Sequence, residues 1–303
     1  MARFLVNRLV SMLIAMFAIV TLTFFLMNLI PGGPFNLENI GGKAAAMLEA
    51  KYGLDKPLFQ QYIDYLADLV RGDLGISIKK VGYTVNEIIA DKFPVSAKLG
   101  AVAIGISVVL GLPMGIVSAM NRNKISDRII MFICTIGVSA PSFIVATVLL
   151  YVFGIKLGIL PTMRLESASS YIMPALSLAF SPLCYITRLT RSSMLEVLDQ
   201  DYVKTATAKG MKRIVVVGKH ALRNSVIPVI TYMGPMVAGV LTGGFVVEKI
   251  FSIPGLGKYF VESITARDYP LIMGTTIFYA ILLLVMNTIV DLLYKAVDPR
   301  IEY

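Results

Sequence analysis

Charge is scarce in this sequence. Only 16% of its 303 residues are Asp, Glu, Lys or Arg and 56% are hydrophobic, whereas a soluble globular domain is about 25% charged. The deficit excludes an ordinary soluble protein, and the hydrophobic content excludes a disordered one. Cysteine is nearly absent. Cys134 and Cys184 are the only two; both lie in apolar stretches, offer no disulfide framework and are expected to be small core residues. His220 is the only histidine, so neither a two-histidine metal site nor a Ser-His-Asp triad is supported, and an intramembrane enzyme has little to work with. A structural or interface role is expected for it. A phosphate-binding G-x-x-x-x-G-K-[ST] loop is missing as well. Its nearest imitation, Gly257-Lys258, has Ser252 where the first glycine belongs and Tyr259 after the lysine.

What charge there is stands in clusters, and between them run six charge-free windows: 9–37, 99–121, 129–155, 167–187, 224–247 and 269–290. Each exceeds the roughly 20 residues, at about 1.5 Å rise, that cross a hydrocarbon core of about 30 Å. A buried helix of a soluble protein needs neither this length nor this purity. In lipid, one central Asp, Lys or Arg costs about 2.5–3.5 kcal/mol. The pattern predicts an all-α integral membrane protein with six transmembrane helices. Arg3 and Arg8 ahead of the first window imitate a secretory signal, but the apolar run from Leu9 to Ile30 outlasts the usual apolar region of about 7–15 residues. It is expected to be a retained first span ending at Pro31-Gly32-Gly33-Pro34.

With both termini on one side, the alternate loops divide the charge unevenly. Segments 1–8, 121–128, 188–223 and 291–303 carry 15 Lys+Arg against 7 Asp+Glu, while 31–98, 156–166 and 248–268 carry 13 against 12. The positive-inside rule places both termini in the cytoplasm. The net charge of +9 is then a topology signal. A nucleic-acid partner is not expected, because no basic surface module with interleaved aromatics accompanies it.

Three regions follow: the N-terminus and first span (1–30), an extracytoplasmic cap (31–94) and a core of spans 2–6 (95–303). The cap is expected to be small and helical. Leu58, Phe59, Tyr62, Ile63, Leu66, Leu69 and Val70 recur at helical spacing behind Pro57, which suits a first turn. Thr84-Val-Asn-Glu87 has the spacing of a capping box opening another short helix, and Gly53 is placed to stop a helix over 43–52.

Glycine and proline are spread unevenly among the spans. Spans 2–5 carry most of them, including Gly105, Gly111, Gly115, Gly137, Pro141, Pro182, Pro235 and Gly239, whereas span 1 has none and span 6 only Gly274 after its opening Pro270. Small residues permit close helix packing, and helix breaks in lipid need neighbouring protein or a wet cavity. Spans 2–5 are therefore expected to be packed or to line a pathway, with 1 and 6 peripheral. No Asp, Glu, Lys, Arg or His lies inside any window. Ion-coupled carriers usually keep such groups at midplane, so energy for transport is expected from outside the spans.

The stretch 188–223 is the longest inward-facing segment, with 8 Lys+Arg against 3 acids. Its middle, Asp201-Tyr-Val-Lys-Thr-Ala-Thr-Ala-Lys-Gly210, reads as a short helix closed by a C-cap-like glycine. It suits a docking peg that can push on two spans. A basic loop touching anionic headgroups fits the same residues.

Lys204-Thr205-Ala206-Thr207-Ala208-Lys209-Gly210, followed by His220-Ala221-Leu222-Arg223-Asn224 and Ile227-Pro228, resembles the EAA loop of binding-protein-dependent ABC importer permeases. Ala206 and Gly210 match that motif directly; Lys204 stands in place of its glutamate and Arg223 in place of its final proline, departures that look like the peptide-transporter branch. Pro31-Gly-Gly-Pro34, Gly72-Asp-Leu-Gly75, Phe93-Pro-Val-Ser-Ala-Lys-Leu99, Ile250-Phe-Ser-Ile-Pro-Gly-Leu-Gly257, Arg267-Asp-Tyr269 and Val297-Asp-Pro-Arg300 extend the likeness to the B-type permease subunit of oligopeptide importers. Dipeptide and nickel permeases share much of the pattern.

The resemblance implies a type I ABC importer permease fold in a bacterial plasma (inner) membrane. It further implies a heterodimer with a second homologous permease subunit, two cytoplasmic ATPase subunits and an extracytoplasmic binding protein that delivers peptide. This chain would bind no cofactor; ATP and Mg would sit on the partner subunits. Lys204, Thr205, Ala206, Ala208, Lys209 and Gly210 would form the coupling helix seated in the ATPase. In the outer loop between spans 5 and 6, Glu248, Pro254, Gly255 and Gly257 are candidates for a gate or a docking surface for the binding protein, against the simpler reading of a Pro-Gly turn with hydrophobic anchors. From a different class, a self-sufficient carrier or channel would need activity from this chain alone.

Overall fold

A computed structural model describes residues 2–29, 53, 55–163 and 165–297. The Pro31–Pro34 turn, the helix over 43–52, the first part of the cap and Asp298-Pro-Arg300 lie outside the described residues. The main helices, in chain order, are α1 (Ala2–Leu29), α2 (Leu58–Val70), α3 (Val85–Met120), α4 (Ile125–Ser139), α5 (Ser142–Leu149), α6 (Ile172–Leu198), α7 (Asp201–Ala208), α8 (Ile227–Gly243), α9 (Phe245–Ile250), α10 (Leu256–Ala266) and α11 (Tyr269–Val297). Among the described residues, pairing of extended backbone is limited to an isolated bridge between Ile76 and Thr84.

Among the described residues, five helical stretches are long and apolar enough to cross a membrane: Val6–Leu29, Val85–Met120, Ala168–Leu198, Ile227–Ile250 and Tyr269–Ile289. The remaining window forms two helices, Ile125–Ser139 and Ser142–Lys156, bent by 110° at a break. Pro141 explains the break. It has no N–H to continue the ladder, and it drives the residue before it, Ala140, into extended backbone (φ −82, ψ 121). The second helix then restarts on the Pro141 carbonyl, which accepts from Ile144 at 3.0 Å. The first piece has 15 residues, about 22 Å at 1.5 Å rise, and falls short of a hydrocarbon core alone. The six windows thus become five spans plus one broken pair, or six spans if the pair is counted as one.

The chain divides into two compact units. One comprises Met1–Val95 and Pro254–Leu284. Within it the C-terminal half of α1 packs on α2: the Phe24 and Tyr62 rings lie 5.3 Å apart, and the Thr21 and Tyr62 hydroxyls share a hydrogen bond of 2.7 Å. The capping box is present. Glu87 accepts from the Thr84 N–H at 2.9 Å, and the Thr84 hydroxyl accepts from the Glu87 N–H at 3.2 Å. It opens no short cap helix, however, but the 36-residue α3, which runs on through Pro94 and Pro113. Asp268 closes the unit. Buried at 1% exposure, it accepts from the Ser77 hydroxyl and from the Ile78 and Lys79 N–H groups, and it caps α11 at Leu271.

The second unit comprises Ser96–Ile253 and Val285–Tyr303. Its centre is α6, the most buried of the candidate spans. Three glycines let neighbours press against it. A Cβ on Gly111 would stand 2.9 Å from Ile186, one on Gly115 2.5 Å from Thr190, and one on Gly137 2.3 Å from the Cys184 sulfur. Cys134 and Cys184 are both fully buried there, as small core residues should be.

One packing expectation needs correction. The first span is peripheral, with 11% of its apolar stretch buried, but the last has 44% buried, more than the 28% of the second and the 35% of the fifth. Its lone Gly274 marks one close approach there: a Cβ at this position would meet Val85 at 2.4 Å.

Candidate functional site

The segment after α6 forms the expected short helix. Gln200 carries the chain out of α6 in extended backbone, and α7 runs for eight residues. Its end is a full Schellman arrangement: the Gly210 N–H bonds the Thr207 carbonyl at 3.0 Å and the Met211 N–H bonds the Ala206 carbonyl at 3.4 Å. That geometry requires the left-handed conformation at Gly210, whose φ is +76. Met211, just past the turn, packs back on a small apolar cluster of Val203, Ala206 and Val216, joined by Val197 and Leu198. The helix is therefore seated on its own chain by an i, i+3 pair and presents its other side to solvent.

That seat sorts the predicted residues. Lys204, Thr205, Ala208, Lys209 and Gly210 are exposed, whereas Ala206 is buried at 7% and faces the cluster. Lys204 pairs loosely with Asp201 at 3.5 Å, both well exposed, an interaction of little energetic consequence. Two ties that the sequence did not reveal hold the segment to neighbouring helices. The Asn224 amide donates to the Tyr202 hydroxyl at 2.8 Å, reaching the approach to α8. The Arg213 guanidinium donates to the Met120 carbonyl at 3.3 Å, at the end of α3. With the continuous backbone from α6, α7 is linked to three span ends.

A third hidden feature stabilises the same end of the unit. Asp127 is 2% exposed and is held by Arg191 through two parallel hydrogen bonds of 2.7 and 2.8 Å, by the Ser118 hydroxyl at 2.5 Å and by the Asn123 N–H at 2.9 Å. One carboxylate thereby pins α3, the 121–124 turn, α4 and α6. Such bidentate, charge-assisted contacts fix geometry as well as add energy. His220 sits in the π-helical turn Val216–Ala221 with a buried ring nitrogen that has no partner among the described residues.

The second candidate set is less coherent. Glu248 is buried at 3% in its unit, and its carbonyl accepts the Ile253 N–H at 2.8 Å to close α9, with Ser252 left-handed at φ 52. In the other unit Pro254 is exposed while Gly255 and Gly257 are buried, with Gly255 capping α10. Of the four, Pro254 alone offers surface.

Residues 111–303 match the family described as "Binding-protein-dependent transport system inner membrane component", and residues 1–100 match the corresponding N-terminal family. The chain belongs to this family. As a binding-protein-dependent transport permease it is a multi-pass membrane protein, in keeping with its helices. It is 49% identical over 303 residues to the dipeptide transport system permease protein DppB of Bacillus subtilis, covering 100% of this chain and 98% of that protein. It is 42% identical over 306 residues to the oligopeptide transport system permease protein OppB of Haemophilus influenzae, covering 100% of both. Its fold is similar to that of a crystal structure of an amino acid ABC transporter with histidines, at TM-score 0.57 and 15% identity over 70% of this chain and 94% of that one. The inward-facing MetNI methionine ABC transporter gives TM-score 0.56 and 16% identity over 70% and 96%. The all-helical type I importer fold expected from the sequence is thus the fold observed.

Proposed function

We propose that this chain is one of two different permease subunits of an ABC importer for peptides, driven by cytoplasmic ATPase subunits that dock on α7. The observation that carries the proposal is α7 itself: a capped helix, exposed on one side, anchored on the other, and tied to the ends of α3, α6 and α8. A force on the exposed side would reach all three. ATP binding would draw two such helices together and open the cavity outward; hydrolysis and release would return it inward. ATP and Mg belong to the partners, and an extracytoplasmic binding protein supplies cargo. The names carried by relatives of 42–49% identity favour peptides, with dipeptides and oligopeptides both represented. Both termini are assigned to the cytoplasm by the loop charges.

The test is reconstitution of the complete complex in vesicles, with uptake of radiolabelled dipeptide, pentapeptide and nickel measured with and without ATP. ATP-dependent uptake of peptide that also requires the binding protein is the expected result. Uptake by this chain alone, or by nickel only, would overturn it.

A further inference from the structure

The exposed face of α6 is largely polar, whereas those of α3 and α4 are largely apolar; the exposed hydroxyls of α4, on Thr135 and Ser139, are bonded back to carbonyls of their own helix. Ser181, Tyr185, Arg188 and Ser192 follow one another at spacings of four, three and four, which places them on one side of the helix. Tyr185 is 43% exposed, while Cys184, Ile186, Thr187 and Thr190 on the other sides are fully buried. Tyr232 of α8 stacks on Tyr185 with ring centroids 4.1 Å apart, so the stripe continues onto a second span beside Thr231. In the same unit α4 exposes Ile129, Phe132, Ile133 and Ile136, and α3 exposes Val109, Leu110 and Val117. Those faces suit lipid. Unpaired hydroxyls within a span do not, because lipid tails leave their hydrogen-bonding groups unsatisfied; Arg188 and Ser192 stand just past the charge-free window, at the inward end of the same stripe.

We propose that this stripe lines the cargo path, and that Tyr185, Tyr232 and Arg188 hold a peptide by its main chain. The inference rests on the peptide-importer reading above and adds the residues to it. Phenolic hydroxyls both donate and accept, which matches the alternating C=O and N–H groups of a peptide backbone. The guanidinium is a fixed fork of donors that matches a terminal carboxylate. Among the described residues no carboxylate is paired with Arg188. Contacts of this kind grip what all peptides share and leave side-chain choice open.

The experiment uses the complete reconstituted complex with photoreactive benzoylphenylalanine replacing Tyr185, or replacing Phe132 as a lipid-face control. Labelled peptide is imported under ATP and the sample is irradiated. Cross-linking of peptide from position 185 and not from 132 is expected. In parallel, Arg188→Gln should raise the KM for a free-acid peptide by roughly tenfold, the scale of one charge-assisted hydrogen bond, and leave that of its C-terminal amide unchanged. If the Tyr185 replacement fails to assemble, Arg188→Cys labelled by a membrane-impermeant thiol reagent, with peptide slowing the reaction, reads the same face. Cross-links only to the second permease subunit or to lipid, in a complex that still imports peptide, would overturn this assignment while leaving the importer reading intact. A wild-type complex that imports no peptide would remove both.

Discussion

Gly210 and the Asp127–Arg191 pair are the two places where one side chain decides most. At Gly210 a Cβ would meet nothing within 4 Å, so the obstacle to substitution is the φ of +76 and not space. A β-branched residue there costs about 1–2 kcal/mol or more and unlocks the Schellman turn. Gly210→Val is expected to raise ATP hydrolysed per peptide imported, with membrane insertion unchanged, while Gly210→Asn stays near wild type; paired ATPase and uptake assays check both. At the other place, Arg191→Met strands a carboxylate whose side chain is 4% exposed. Loss of about 3 kcal/mol is expected, as for other broken buried pairs, read as a lower Tm in detergent. An unchanged Tm would show that water reaches Asp127. Gly210 was legible in the sequence because a glycine after a short polar helix has few other purposes. The ion pair was not, because its partners are 64 positions apart and each looked like an ordinary loop charge at the edge of a window.

Among the helices, packing follows register more than composition. Gly137→Ala puts a methyl 2.3 Å from the Cys184 sulfur, so α4 and α6 must separate, and about 1–3 kcal/mol of destabilisation is expected. Gly239→Ala meets nothing within 4 Å and should be neutral or gain up to about 1 kcal/mol from helix propensity. Thermal unfolding of the two variants separates them; equal losses would contradict the close approach at Gly137. A smaller loss, about 1 kcal/mol, is expected for Thr84→Ala from the broken capping box. The absence of charge marked every apolar stretch correctly, and the Thr84/Glu87 spacing correctly marked a helix start. Composition did not reveal that Pro141 turns its window through 110°, since proline in a helix can kink or break it and neighbouring contacts choose. Nor did the single Gly274 announce that the last span is well buried.

For the molecule as a whole, the charge asymmetry of the loops assigns both ends to the cytoplasm, which requires the α4–α5 pair to count as one crossing. Alkaline phosphatase fused after Tyr303 should be inactive and a green fluorescent reporter there should fluoresce. The reverse would mean that the broken pair returns to the side it came from. Uptake energy, in turn, is predicted to come from partners: the family is that of binding-protein-dependent transport permeases, and the windows hold no Asp, Glu, Lys, Arg or His. The most direct test of that assignment is purification of the tagged chain from its native membrane in mild detergent, with mass spectrometry of whatever accompanies it in stoichiometric amount. A second permease subunit together with ATPase subunits is predicted, the ATPase being lost selectively when the whole of α7 is replaced by a flexible Gly-Ser linker. A homogeneous oligomer of this chain, with no ATPase under any mild condition, would contradict it.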